Sequence, residues 1–144
     1  MQTADHILIP LLDGRHALAQ VADAGAAVTT LLITAKLATP TSPTSALRPD
    51  DVIAVLHIDR ASGSDTNWPV IGYEAIPTGT PTAPQTADPD STLDPAVVEA
   101  FVNAIHGLYP WDGFPDHNFF SALLKSPDTL PPKARMTADF PSPE

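Results

Sequence analysis

Proline restricts this chain more than any other residue. There are 17 in 144 residues, more than twice the usual share, and each fixes φ and removes a backbone donor. That disfavours an all-helical bundle. The prolines gather in connections: Pro40, Pro43 and Pro49 lie within 39–51, Pro77, Pro81, Pro84 and Pro89 within 77–92, and Pro127, Pro131, Pro132, Pro141 and Pro143 in the tail. Five apolar runs in the first half are left largely intact. A length of 144 suits one domain, and a hydrophobic fraction of 43% is too high for a wholly disordered chain.

Those five runs read as strands, at 7–12, 16–22, 28–37, 52–58 and 68–76. Asp13-Gly14 between the first two suits a hairpin turn that needs positive φ. Pro10 removes a ladder donor, so the first strand should lie at an edge or carry a bulge. In 28–37, β-branched residues at 28, 29, 30, 33 and 34 favour a strand over a helix. The run 52–58 is apolar on both faces except at His57, the pattern of a central strand. Residues 61–67 read as a turn, and Pro69 sits near the start of the fifth strand. The expected fold is mainly β (α+β): a small, SH3-like, bent antiparallel sheet or barrel of about five strands with two C-terminal helices.

The single domain, 1–144, then divides into a β part (1–76), a Pro/Thr-rich loop (77–93), a helical part (94–125) and an extended tail (126–144). Asp94-Pro95 is an N-cap followed by a first-turn proline. Val97, Val98, Phe101, Val102, Ile105 and Leu108 form a stripe at helical spacing, and Gly107 and Pro110 end it. A second helix should start near Asp116 and bury Phe119, Phe120, Leu123 and Leu124.

Charge narrows the function. The net charge is −10 with seven Lys+Arg, which argues against a nucleic-acid or anionic-lipid binder. No Lys or Arg stands between Arg60 and Lys125, whereas Asp65, Glu74, Asp88, Asp90, Asp94, Glu99, Asp112 and Asp116 all do. Such a surface is either simply solvated or matched to a basic partner. With no cysteine, disulfides, thiolate metal sites and cysteine nucleophiles are excluded. The first residues lack a basic region, and Pro10 and Asp13 interrupt their apolar run, unlike a secretory signal. The longest apolar stretch, 26–37, is far short of the ~20 residues that cross a bilayer. The expectation is a cytoplasmic protein with no cofactor and no resident metal.

No phosphate loop, Gly-x-Ser-x-Gly elbow, His-Glu-x-x-His or dinucleotide fingerprint is present. His6 and His16 might be expected to face each other across the first hairpin, which a polar cross-strand pair explains without a metal. His57 interrupts the most apolar strand, with Asp59 on the same face. Residues 107–117 hold Tyr109, Trp111, Phe114, Asp112, Asp116 and His117. They make either a packed corner in which the aspartates cap turns, or a carboxylate–imidazole cluster.

The opening Ile7-Leu8-Ile9-Pro10-Leu11-Leu12-Asp13-Gly14-Arg15-His16-Ala17-Leu18-Ala19-Gln20-Val21 resembles the start of the immunity protein 26 / phosphotriesterase HocA-like family. The helix that begins at Asp94-Pro95, together with Gly107-Leu108-Tyr109-Pro110-Trp111-Asp112-Gly113-Phe114, resembles a C-terminal motif of similar bacterial proteins. The resemblance covers about 30 residues in two patches and implies a bacterial protein that occludes a cognate toxin. The partner would be a basic protein surface, met by Trp68, Asp88, Asp90, Trp111, Asp112 and Asp116, with a tryptophan as anchor. The same family label also implies a phosphoester hydrolase, which would gather His57, Asp59, Asp112, Asp116 and His117 around one water or metal. A third possibility is an accessory domain without chemistry of its own.

Overall fold

The computed structural model describes residues 2–64, 66–78, 92–124 and 130–140. Five strands form one antiparallel sheet: β1 (Asp5–Pro10), β2 (His16–Ala24), β3 (Val28–Leu37), β4 (Val52–Asp59) and β5 (Val70–Tyr73), in the order β4-β3-β2-β1-β5. Three short helices accompany them, α1 (Arg60–Ser64), α2 (Pro95–Ile105) and α3 (Phe119–Leu123). The fold is mainly β with a few helices, and the sheet is open. β5 joins β1 instead of β4, so the two ends of the sheet do not meet and no barrel closes.

Local chemistry explains the first hairpin. Leu11 donates its N–H to the Arg15 carbonyl at 2.9 Å, so the loop spans three residues, with Gly14 at φ +87° supplying the left-handed step such a loop needs. The Asp13 carboxylate accepts from the Arg15 N–H (3.0 Å) and Nε (2.6 Å). β1 lies inside the sheet, and its register with β5 shifts between His6 and Ile7, the extra residue, Ile71, standing on β5. Its pairing with β5 covers only Asp5 to Ile7, so Pro10 lies beyond the strand whose bonds it would have broken.

The run 52–58 is an edge strand, a correction to the central position that its pattern suggested. Its inner face joins the main core through Ala54, Leu56 and Ile58, and Val52 and Val55 pack on the other side with Ala22 and Leu32. Its outer edge is covered too: Leu93 donates to the His57 carbonyl at 2.8 Å, and isolated bridges join Ile58 to Leu93 and Ala54 to Leu124. An edge shielded on three sides has the same apolar signature as a central strand.

The main core lies between the sheet and α2. Ile7, Ile9, Ala19, Val21, Leu31 and Ile33 meet Val98, Phe101, Val102 and Ile105. The helix begins as its sequence predicts, with the Asp94 carboxylate accepting from the Ala96 N–H at 2.8 Å, and Gly107 follows at φ +76°. A Cβ there would lie 2.5 Å from the Lys133 carbonyl oxygen, so a side chain would push the tail away. Buried Asn103 ties helix to hairpin: its Oδ1 accepts from the Leu12 N–H (2.8 Å) and its Nδ2 donates to the Glu99 carbonyl (2.8 Å).

Residues 107–120 form a packed aromatic corner. Phe120 lies 4.8 Å from Phe114, 5.5 Å from Phe101 and 5.5 Å from Trp111, centroid to centroid. Three differences from the sequence reading follow from tertiary contacts. The fifth strand is shorter than 68–76 because Trp68 turns into the core and donates Nε1–H to Glu99 at 2.9 Å. Residues 60–64, most of the expected turn, close into α1. The tail at 130–140 folds back, with Arg135 accepting from the Trp111 N–H at 2.8 Å and Ala134 and Met136 packing on the core. The Pro/Thr-rich stretch 77–93 lies, apart from its ends, outside the described residues. Phe120→Ala removes the hub of the aromatic corner and is expected to lower stability by about 3–5 kcal/mol, read as a drop in the urea midpoint at unchanged slope.

Candidate functional site

The residues singled out for hydrolysis do not converge. His57 alternates with Leu56 and Ile58, which enter the main core, so its side chain lies on the far face of the sheet, opposite Thr30 in the ladder. Asp59 accepts from the Ser62 N–H at 3.3 Å at the start of α1. Asp112 takes two bonds of 2.7 Å from the Thr137 N–H and hydroxyl. Those bonds, the hydroxyl's above all, hold its carboxyl below the ordinary value of 3.8. Asp116 accepts from the Asn118 N–H at 3.0 Å, and His117 is exposed. Among the described residues no three His, Asp or Glu side chains are placed to hold a metal.

The proposed anchors sit elsewhere than expected. Trp68 is 5% exposed and Trp111 2%; the Trp111 Nε1–H donates to Ser121 Oγ at 2.9 Å. Both indoles belong to the interior and have no free face to offer a partner. Asp88 and Asp90 lie outside the described residues, as does Asp65. Asp116 closes a turn within the aromatic corner, whereas Asp112 holds the tail through Thr137.

Two other features remain, and the sequence reading named neither. The first is the outer edge of β5. Whereas β4 is covered by Leu93 and Leu124, β5 has no second strand beside it among the described residues. It presents Tyr73 at 76% exposure and Val70 at 48%. The pattern Val-Ile-Gly-Tyr reads as an ordinary half-buried strand, so nothing local marks it as uncovered.

The second is the polar interior of the sheet's other face. The register places His6 opposite Gln20 and His16 opposite Pro10, so the two histidines stand at opposite ends of the hairpin. His6 is 0% exposed and neither ring nitrogen has a partner among the described residues. Gln20 beside it donates Nε2 to the Ala4 (3.1 Å) and Glu74 (2.8 Å) carbonyls, but its Oε1 accepts nothing. Each unmet buried group costs about 1–3 kcal/mol. Burial pushes the His6 pKa down, with Glu74 opposing. Above His6 opens a cleft of about 300 Å³. The segment 39–48 covers it and is held by Thr44, whose hydroxyl donates to Glu74 Oε2 at 3.3 Å. The signal that would have found this pair is a polar residue on each strand of an apolar hairpin, read in the three-residue-loop register.

A second histidine is buried without partners, His106 at the end of α2. Burial lowers its pKa, helped by the charges of Lys133 and Arg15 and opposed by Asp13.

No protein-family model, curated protein or solved structure matches this chain.

Two outcomes are expected from this geometry. Asp112→Ala should release the tail, raising amide exchange at 137–139 while exchange in the sheet stays slow. Burial holds the pKa of His6 and His106 in the folded chain below the ordinary 6.5, so the unfolded state takes up more protons as the pH falls through that value. Their contribution is full above pH 6.5 and declines as the pH falls. The urea midpoint should therefore drop between pH 7.5 and pH 5, and His6→Leu with His106→Leu should flatten that drop.

Proposed function

We propose that this chain is a binding protein of the immunity type, acting in the cytoplasm, which occludes a basic toxin surface stoichiometrically through the uncovered edge at β5. The observation that carries this reading is Tyr73. It is a large aromatic, 76% exposed, on an edge strand with no cover among the described residues. It also lies within the stretch that has no Lys or Arg from residue 61 to 124. Tyrosine is among the side chains that most often dominate binding energy, and an unpaired strand edge accepts a partner strand through main-chain bonds. The anchor expected of Trp68 or Trp111 thus passes to Tyr73 and Val70.

Charge supports the same partner chemistry. Several of the few cations are tied to the chain itself. Arg15 pairs with Asp13 (2.6 Å) and Lys36 with Asp51 (3.6 Å). The Arg60 guanidinium donates to the Ala24 and Gly25 carbonyls, and Arg135 donates to the Asp139 carbonyl and lies over the Phe140 ring. A net charge of −10 with its cations so engaged steers toward a basic surface and repels acidic ones. The family resemblance of the 7–21 and 107–114 patches supplies the toxin as the kind of partner.

Immobilised protein is expected to retain a basic protein from the lysate of its source cell, with retention falling steeply from roughly 50 to 500 mM salt. Tyr73→Ala should weaken it by about 2 kcal/mol, roughly thirtyfold in Kd. The gene of the retained protein should be toxic alone and tolerated when co-expressed with the wild-type chain. Equal retention by Tyr73→Ala would overturn docking at β5, and a partner harmless on its own would overturn the immunity role.

A further inference from the structure

We propose that the cleft over His6 is a binding site for a small carboxylate that carries a hydroxyl at its other end. The inference is independent of the docking edge at β5, because it rests on the other face of the sheet and on a different class of ligand. Three chemical features converge there. At the floor, the neutral imidazole of His6 has one N–H and one bare nitrogen, and both lack partners. A ligand hydroxyl, able to donate or accept, suits either ring nitrogen: it accepts from the imidazole N–H or donates to the bare nitrogen.

At the rim, Lys36 is the one Lys or Arg among the described residues lining the cleft. Among the described residues it pairs with Asp51 at 3.6 Å, a long contact on a half-exposed side chain that leaves ammonium donors available to a carboxylate. Between floor and rim, Leu18, Leu47 and Ile71 form apolar walls. A volume of about 300 Å³ stands at the lower end of ligand pockets. It holds roughly ten non-hydrogen atoms if each takes the ~30 Å³ of a water molecule.

An apolar residue at position 6 would satisfy the fold without stranding two nitrogens, so the imidazole fits a chain whose occupied state supplies their partner. The His6 nitrogens lie beneath the cleft surface, and occupation therefore displaces the segment 39–48. That segment has no strand or helix before Pro49 and is tied down by the long Thr44–Glu74 bond of 3.3 Å.

The test uses the full chain with ¹⁵N-labelled histidine and 4-hydroxybenzoate as probe, a carboxylate and a hydroxyl on a ten-atom body; 6-hydroxyhexanoate is a flexible second probe. Saturable movement of the His6 ring nitrogen resonances is expected with at least one of them. Benzoate, lacking the hydroxyl, and 4-hydroxybenzamide, lacking the charge, should each bind at least tenfold more weakly than 4-hydroxybenzoate if that is the binder, and Lys36→Gln should weaken the bound probe at least tenfold. His6→Leu should abolish binding; if that variant does not fold, Leu18→Trp, which fills the cleft from its wall, replaces it. Absence of any saturable His6 shift with both probes at 10 mM overturns the proposal. Affinity unchanged in His6→Leu or Leu18→Trp overturns it equally.

Discussion

The structure depends on the burial of one face of an open sheet beneath α2. Alternate residues of β1, β2, β3 and β4 all point to that side, and a single eleven-residue helix covers them with the help of the aromatic corner. An eleven-residue helix would be marginal alone, so sheet and helix stabilise each other. The link is both apolar and polar. Phe101 joins the helix to Trp111 and Phe120, and Asn103 bonds the hairpin at Leu12. Gly107 and the tail at 130–140 then close the end of the helix, Gly107 against the Lys133 carbonyl and the tail against Asp112.

With one face committed to the helix, the other is free to differ. It holds only a small apolar cluster, Ala22, Leu32, Val52 and Val55, and buries His6, Gln20, Thr30 and Thr34. Thr34 is satisfied, its hydroxyl donating to the Leu18 carbonyl at 2.6 Å; His6 is not. A polar interior with unmet groups is expensive for a domain of this size, and it lies beside the cleft whose floor is the His6 imidazole. Edges are treated as unequally as faces. Leu93 and Leu124 cover β4, while β5 has no second strand beside it among the described residues and carries Tyr73.

Much of the local structure was legible. Asp94, Pro95 and Gly107 mark the ends of α2 because capping is a matter of neighbouring backbone groups. Asp13-Gly14 marks the first turn for the same reason. The site was less legible. Trp111, Asp112 and Asp116 stand out in sequence because aromatics and acids crowd together, yet that crowding is the chemistry of a packed corner with capped turns. Tyr73 and His6 stand in runs that look ordinary, and what sets them apart is the absence of a neighbour among the described residues, which no local pattern encodes.

The sequence by itself determined a mainly β chain of five short strands followed by helices, with connections marked by proline and an acidic excess concentrated after Arg60. These follow from periodicity of 2 or 3.6, from caps and from counting charge, all of which act within a few residues. Only the tertiary structure decided that β5 pairs with β1 and leaves the sheet open, that both tryptophans are interior, and that His6 meets Gln20. Strand order and register are fixed by contacts between residues far apart in the chain. The same alternating pattern is compatible with several of them until one apolar face finds its helix.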